Sequence, residues 1–148
     1  YARNVLGIKD ANTAEITPAG KNNVIDIMPE QKKLIAEKKM GGSMRLGSYK
    51  CKLGAGTIAR AAYNADEIIE RHRHRYEVNP DCVEKLRSAG LVFSGTSPDG
   101  HLMEIAEIPR DTHPFMLGTQ FHPEFLARPL APHPLFSEFV KVILGKGK

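Results

Sequence analysis

Three apolar runs of strand length, residues 91–93, 101–108 and 115–121, follow one another in the second half of this chain. Ser97-Pro98-Asp99-Gly100 supplies the turn between the first two, and residues 109–114, with a proline at each end, supply the next. Strands joined this closely pair with their neighbours in sequence, so this end is expected to fold as an antiparallel meander. A final helix is expected to open at Pro134 and to bury Leu135, Phe136, Phe139, Val140 and Ile143 along one side. Gly145 should end that helix, with the last residues frayed.

The first half is patterned differently. Residues 24–27 form a short apolar run that reads as a buried strand, and Pro29 opens an expected helix to about Lys38, with Leu34 and Ile35 inward. Met40-Gly41-Gly42-Ser43-Met44-Arg45-Leu46-Gly47 combines three glycines with an arginine and is expected to be a loop. Residues 57–63 fit a short helix. Asn79-Pro80-Asp81 starts another that runs to Ala89, faces Val83 and Leu86 to the core and stops at Gly90. Residues 1–6, followed by Gly7, resemble the last turns of a helix, as if the chain began inside an element. Helices mixed with isolated and hairpin-linked strands indicate an α/β or α+β domain.

Composition narrows the function classes. With 148 residues, 41% apolar and 26% charged, the chain is expected to be one domain with its own core and no internal repeats. No run approaches the roughly 20 apolar residues that span a bilayer, and no signal-peptide pattern opens the chain, so a cytoplasmic location is expected. Cys51 and Cys82 lack metal-ligand spacing and are expected to be free thiols. A net charge of +4 calls for no nucleic-acid partner unless the basic residues are focused.

Two stretches could carry chemistry. Gln120-Phe121-His122-Pro123-Glu124-Phe125 places a histidine and a carboxylate two residues apart at the end of an apolar strand, where extended geometry would send both to one side. A carboxylate beside an imidazole holds one nitrogen's proton and leaves the other to act as a base for a nucleophile. The plainer reading is a strand-end histidine beside an exposed glutamate. Arg71-His72-Arg73-His74-Arg75-Tyr76-Glu77 would alternate arginines and histidines across a strand. One of its guanidiniums could grip the α-carboxylate of an amino acid. Nucleic-acid binding is the rival there, weakened by Asp66, Glu67, Glu70 and Glu77, which offer ion-pair partners within the segment. His72 and His74 show no third partner at metal-ligand spacing, and no metal site is expected. Asp10-Ala11-Asn12-Thr13-Ala14-Glu15 is a polar loop whose carboxylate could accept hydrogen bonds from an ammonium group.

Taken together these motifs resemble the glutamine amidotransferase domain of CTP synthases. His122-Pro123-Glu124 is similar to the triad end of class I glutamine amidotransferases, and the stretches from Met40 to Gly47 and from Glu70 to Glu77 are similar to those of CTP synthases. Tyr1-Ala2-Arg3-Asn4-Val5-Leu6-Gly7, Ser94-Gly95-Thr96-Ser97-Pro98-Asp99-Gly100, Arg128-Pro129-Leu130 and His133-Pro134-Leu135-Phe136 extend the resemblance over the whole chain. It implies a flavodoxin-like α/β fold, represented here by the C-terminal portion of its open sheet and the meander. Residues 1–148 would then be part of one amidotransferase domain.

The implied activity is release of ammonia from glutamine for the amination of UTP to CTP. His122 would be the general base and acid, Glu124 its orienting partner, Glu15 the contact for the glutamine amino group and Arg75 that for its carboxylate. No cofactor is implied for this domain, whereas ATP and magnesium are implied for a synthetase domain of the same polypeptide. The resemblance departs at the nucleophile. The family's Gly-x-Cys-x-Gly elbow does not occur in these residues, and it is expected a few residues before Tyr1. The chain alone should therefore be inactive. The alternative is a glutamine-binding or regulatory module that keeps the fold without chemistry. A sheet lacking its early strands would expose an edge, so a homo-oligomer is expected.

Overall fold

The computed structural model describes residues 1–27 and 44–146, which fall into two compact units. The helix expected from Pro29 and the first half of the glycine-rich stretch, Met40 to Ser43, lie outside the described residues.

The first unit comprises Tyr1–Leu46 and Arg73–Gly90. Its sheet has the order β1-β2-β5, with β1 (Asn12–Thr13) parallel to β2 (Asn23–Ile27) and β2 antiparallel to β5 (Tyr76–Val78). The opening residues make a turn with the Val5 N–H bonded to the Tyr1 carbonyl at 2.8 Å, and Gly7 leaves it at φ +71°. Helix Pro80–Ser88 begins as the sequence predicts. The Asn79 side chain accepts the Asp81 N–H at 3.0 Å while its amide donates to the Asn23 carbonyl at 2.9 Å, so one residue caps the helix and ties it to β2. Such caps contribute about 1 kcal/mol. Leu86 is buried and Val83 partly so.

The second unit comprises Gly47–His72 and Leu91–Lys148. Five strands are ordered β4-β3-β6-β7-β8: β3 is Arg45–Leu53, β4 Glu67–His74, β6 Val92–Thr96, β7 Met103–Ile108 and β8 Met116–Thr119. The expected meander is β6, β7 and β8, antiparallel throughout. Its first turn closes through Ser97 and Asp99, whose carboxylate accepts the Ser97 hydroxyl at 2.5 Å and the His101 N–H at 3.0 Å. The second half of the glycine-rich stretch departs from expectation. Arg45, Leu46 and Gly47 open the nine-residue strand β3 instead of lying in a loop, because tertiary pairing outweighs the local preference of glycine.

Two helices complete this unit, α1 (Ile58–Tyr63) and α3 (Pro134–Ile143), counting the helix Pro80–Ser88 as α2. The buried Glu107 of β7 accepts the Ile58 and Ala59 N–H groups at 2.7 and 3.1 Å, placing a carboxylate on the first turn of α1 where the helix dipole favours it. Helix α3 buries only Leu135 of the five residues expected inside, and Phe136, Phe139, Val140 and Ile143 stay exposed. Described neighbours cover one narrow stripe, where Phe139 meets Phe115 at 5.4 Å and α1 packs alongside. The core gathers Cys51, Leu53, Ala59, Ile68, Ile105, Phe121 and Leu135.

Gly95 marks the tightest point of that core. A Cβ there would lie 2.6 Å from Ile105 Cγ1 and 2.8 Å from Cys51 Sγ. Gly95→Ala is therefore expected to destabilise the protein by about 1–3 kcal/mol through overpacking, measured by chemical denaturation, with no loss of stability as the contrary result.

Candidate active site

Strand β8 ends at Thr119, and the chain then runs inward through the buried Phe121 before turning at His122. Two backbone bonds fix that turn. The His122 N–H donates to the Arg71 carbonyl of β4 at 2.9 Å, and the Phe125 N–H donates to the His122 carbonyl at 3.0 Å. Pro123–Phe125 is one 3-10 turn, with Pro123 in the first position, where no N–H is needed.

This geometry corrects the extended arrangement expected from sequence. His122 keeps extended dihedrals, φ −108° and ψ 93°, but Glu124 lies in the 3-10 turn and folds back toward it. Their side chains still meet, with Nδ1 of His122 2.7 Å from Oε1 of Glu124. The Phe125 ring stacks on the imidazole, with centroids 4.8 Å apart and planes 15° from parallel. A carboxylate can only accept, so the imidazole proton sits on Nδ1 and Nε2 is left for proton transfer. The hydrogen bond from His122 holds the Glu124 carboxyl below the usual carboxylate range, which keeps it ionised at neutral pH. Both side chains are accessible, 39% for His122 and 57% for Glu124. Beside them opens a cavity of about 330 Å³ bounded by Leu117, Thr119, Pro123, Glu124, Leu135 and Phe136, among others.

Beneath the turn, β4 carries polar groups on its buried face. Ile68, Glu70 and His72 point inward, while Arg71 and Arg73 are exposed. Glu70 Oε1 accepts the Tyr63 hydroxyl at 2.7 Å and a bond from His133 Nε2 at 2.8 Å. His72 faces Glu104 at 3.7 Å, both fully buried. The acids thought to pair with the arginines of this segment serve other partners as well: Asp66 bonds Arg60, Glu67 bonds Lys50, and Glu77 meets His74 at 2.7 Å and Arg45 at 3.6 Å. Glu70, Tyr63 and His133 were not singled out as site residues by sequence. The readable signals were a glutamate in phase with Ile68 and a histidine directly before the proline of a helix start.

Glu15 and Arg75 belong to the first unit. Glu15 is exposed in a turn where its N–H bonds Thr13 Oγ1 at 3.3 Å. Arg75 is half-buried in the single-residue bend between β4 and β5, so the strict alternation expected through the arginine-histidine segment holds to His74 and breaks there. Cys51 and Cys82 are free thiols, Cys51 at 0% exposure in the core and Cys82 with its thiol pushed up by burial. Among the described residues no group of three or more His, Cys, Asp or Glu could hold a metal ion, and no helix is long and apolar enough to cross a membrane.

The profile of the family "Glutamine amidotransferase class-I" matches residues 10–142. A CTP synthase of Carboxydothermus hydrogenoformans is 55% identical over 148 residues, all of this chain and 27% of that protein. A CTP synthase of Rubrobacter xylanophilus is 56% identical over 145 residues, 98% of this chain and 25% of that protein. The chain thus spans about a quarter of the length of these relatives. The solved Trypanosoma brucei CTPS glutaminase domain with bound acivicin superposes with a TM-score of 0.85 at 34% identity, covering 98% of this chain and 55% of that one. Its mixed α/β architecture is therefore that of a glutaminase domain, and the chain belongs to the class-I glutamine amidotransferase family.

Proposed function

We propose that this chain is part of the glutamine-hydrolysing domain of a CTP synthase, residues 1–148 forming a portion of that one domain. The observation that carries the reading is the 2.7 Å contact of His122 Nδ1 with Glu124, in a chain whose relatives are CTP synthases along its length. His122 acts as general base and acid, and Glu124 fixes its tautomer and stabilises the imidazolium. Arg75 holds the glutamine carboxylate through its planar fork, and Glu15 accepts from the glutamine ammonium group.

The reaction needs a thiol from outside these residues. Cys51 is sealed in the core, and burial keeps the Cys82 thiol protonated, the reverse of what a nucleophile requires. In the step we propose, His122 Nε2 takes the thiol proton as sulfur bonds to the side-chain amide carbon of glutamine. It then gives the proton to the leaving nitrogen, and ammonia departs. Water, deprotonated by the same nitrogen, cleaves the thioester to glutamate and returns the free thiol. No step calls on a metal or organic cofactor in this domain. The ammonia would pass to a synthetase domain of the same polypeptide, which would use ATP and magnesium to aminate UTP. We further propose a cytoplasmic homo-oligomer without nucleic-acid or membrane partners.

Three outcomes test this reading. In the intact protein, His122→Ala should lower kcat for glutamine hydrolysis by about 10²–10⁴-fold, whereas Arg75→Ala should act chiefly by raising KM. Unchanged hydrolysis in both would contradict the assignment. This chain by itself should release ammonia only at background, with activity returning when the remainder of the protein is supplied. Glutamine binding without turnover by the intact protein would favour a non-catalytic module.

The pair also has a titration signature. The Glu124 carboxyl is depressed in the folded protein, so its contribution to stability is present above the ordinary carboxylate range and is lost as pH falls through the folded value. Carboxyl-carbon NMR should place its midpoint below that of a free glutamate, and His122→Ala should move it up. An identical midpoint in both proteins would mean the contact does not form in solution.

A further inference from the structure

Glu70 is 2% exposed and lies on β4 with its side chain turned into the second unit. Its Oε1 accepts from Tyr63 at 2.7 Å and from His133 at 2.8 Å, and the Tyr63 oxygen is 3.2 Å from the same His133 nitrogen. Among the described residues the buried Oε2 has no hydrogen-bond partner. His133 is 3% exposed, and its other nitrogen, Nδ1, accepts the Leu135 N–H at 3.3 Å. A nitrogen that accepts carries no proton, so Nε2 holds it and donates to Glu70. The Tyr63 hydroxyl, pushed far up by burial and by Glu70, stays protonated as the second donor. Donors and acceptor are thereby fixed.

Two routes run from this cluster to His122 and Glu124. The carbonyl of Arg71, the next residue after Glu70, accepts the His122 N–H at 2.9 Å, so any shift of β4 moves the imidazole. His133 caps α3, and the first turn of α3 supplies Leu135 and Phe136 to the cavity wall shared with Pro123 and Glu124. One buried carboxylate thus anchors both the strand under the histidine and the helix facing the glutamate. A salt link on the surface could do neither with fixed geometry, since its charges would be free to reorient in water.

We infer that Glu70, with Tyr63 and His133, forms a buried positioning triad that sets the His122–Glu124 pair in its working geometry. The inference rests on the glutaminase reading proposed above. These residues touch no substrate. They act by holding the base where a misplacement of about 1 Å is worth on the order of 10²-fold in rate.

The test uses the whole protein, with glutamine turnover measured beside covalent labelling of the nucleophile by a diazoketone analogue of glutamine. Glu70→Gln keeps the shape of the side chain but replaces the carboxylate by a neutral amide, a weaker acceptor for the Tyr63 and His133 donors that also places an NH2 in the buried position of Oε2. It is expected to lower kcat about tenfold or more with KM for glutamine little changed. Labelling should still reach the parent's full stoichiometry, but at a rate reduced by the same factor. Adding Tyr63→Phe to Glu70→Gln should cost little beyond Glu70→Gln alone, as expected of residues acting as one unit. Unchanged kcat in Glu70→Gln would overturn the proposal. A loss of kcat matched by lost labelling stoichiometry marks unfolded molecules rather than a misplaced base, and the test then passes to the second variant. If Glu70→Gln does not fold, Tyr63→Phe carries the same test, since it removes one donor and leaves the Glu70–His133 bond, and full activity there is again fatal. A parent protein that neither hydrolyses glutamine nor takes the label refutes the glutaminase reading itself.

Discussion

Taking a carboxylate out of water costs several kcal/mol unless its oxygens are bonded, and the second unit places several inside itself. Glu70 is held by a tyrosine and a histidine, Glu107 by two N–H groups of α1, and Glu104 faces His72. The bonds of Glu70 and Glu107 each join a strand of the sheet to a helix or its cap, so making them also fixes the packing. The apolar core around Cys51, Ile105 and Phe121 is small, and its tightness at Gly95 leaves little freedom for alternatives. Polar groups inside such a core favour one arrangement because another packing would part them from these partners.

The candidate pair inherits its geometry from that packing. His122 is tied by its N–H to β4 and stacked by Phe125, and only then does Glu124 come back to Nδ1 through the 3-10 turn. Pro123 makes the turn inexpensive, since it has no amide hydrogen to satisfy. The result is an imidazole with one nitrogen occupied and one available, bonded to a glutamate that lines a cavity. Such a pair can act as a general base toward a thiol, which is the role proposed for it here.

Turn and cap chemistry was legible in the sequence. Asn79-Pro80, Thr57 and His133-Pro134 start the helices α2, α1 and α3 as local rules require, and Ser97-Pro98-Asp99-Gly100 makes the turn before β7. Where tertiary partners decide, local pattern misled. Arg45 to Gly47 pair into β3 despite the glycine, and the apolar face of α3 stays largely exposed because helical periodicity says which residues share a side and not what covers it. The His122–Glu124 contact was legible as a spacing but arises from a turn rather than a strand. The Glu70 cluster was hidden, because Tyr63, Glu70 and His133 lie up to 70 positions apart and only the fold brings them together.

The tautomer of His122 tests the central claim most directly. Long-range proton–nitrogen correlation of the histidine-labelled protein at neutral pH should show the proton on Nδ1, bonded to Glu124, and a bare Nε2. A neutral His122 protonated on Nε2 would leave that nitrogen unable to take a proton from a thiol, and the account of this site would be wrong.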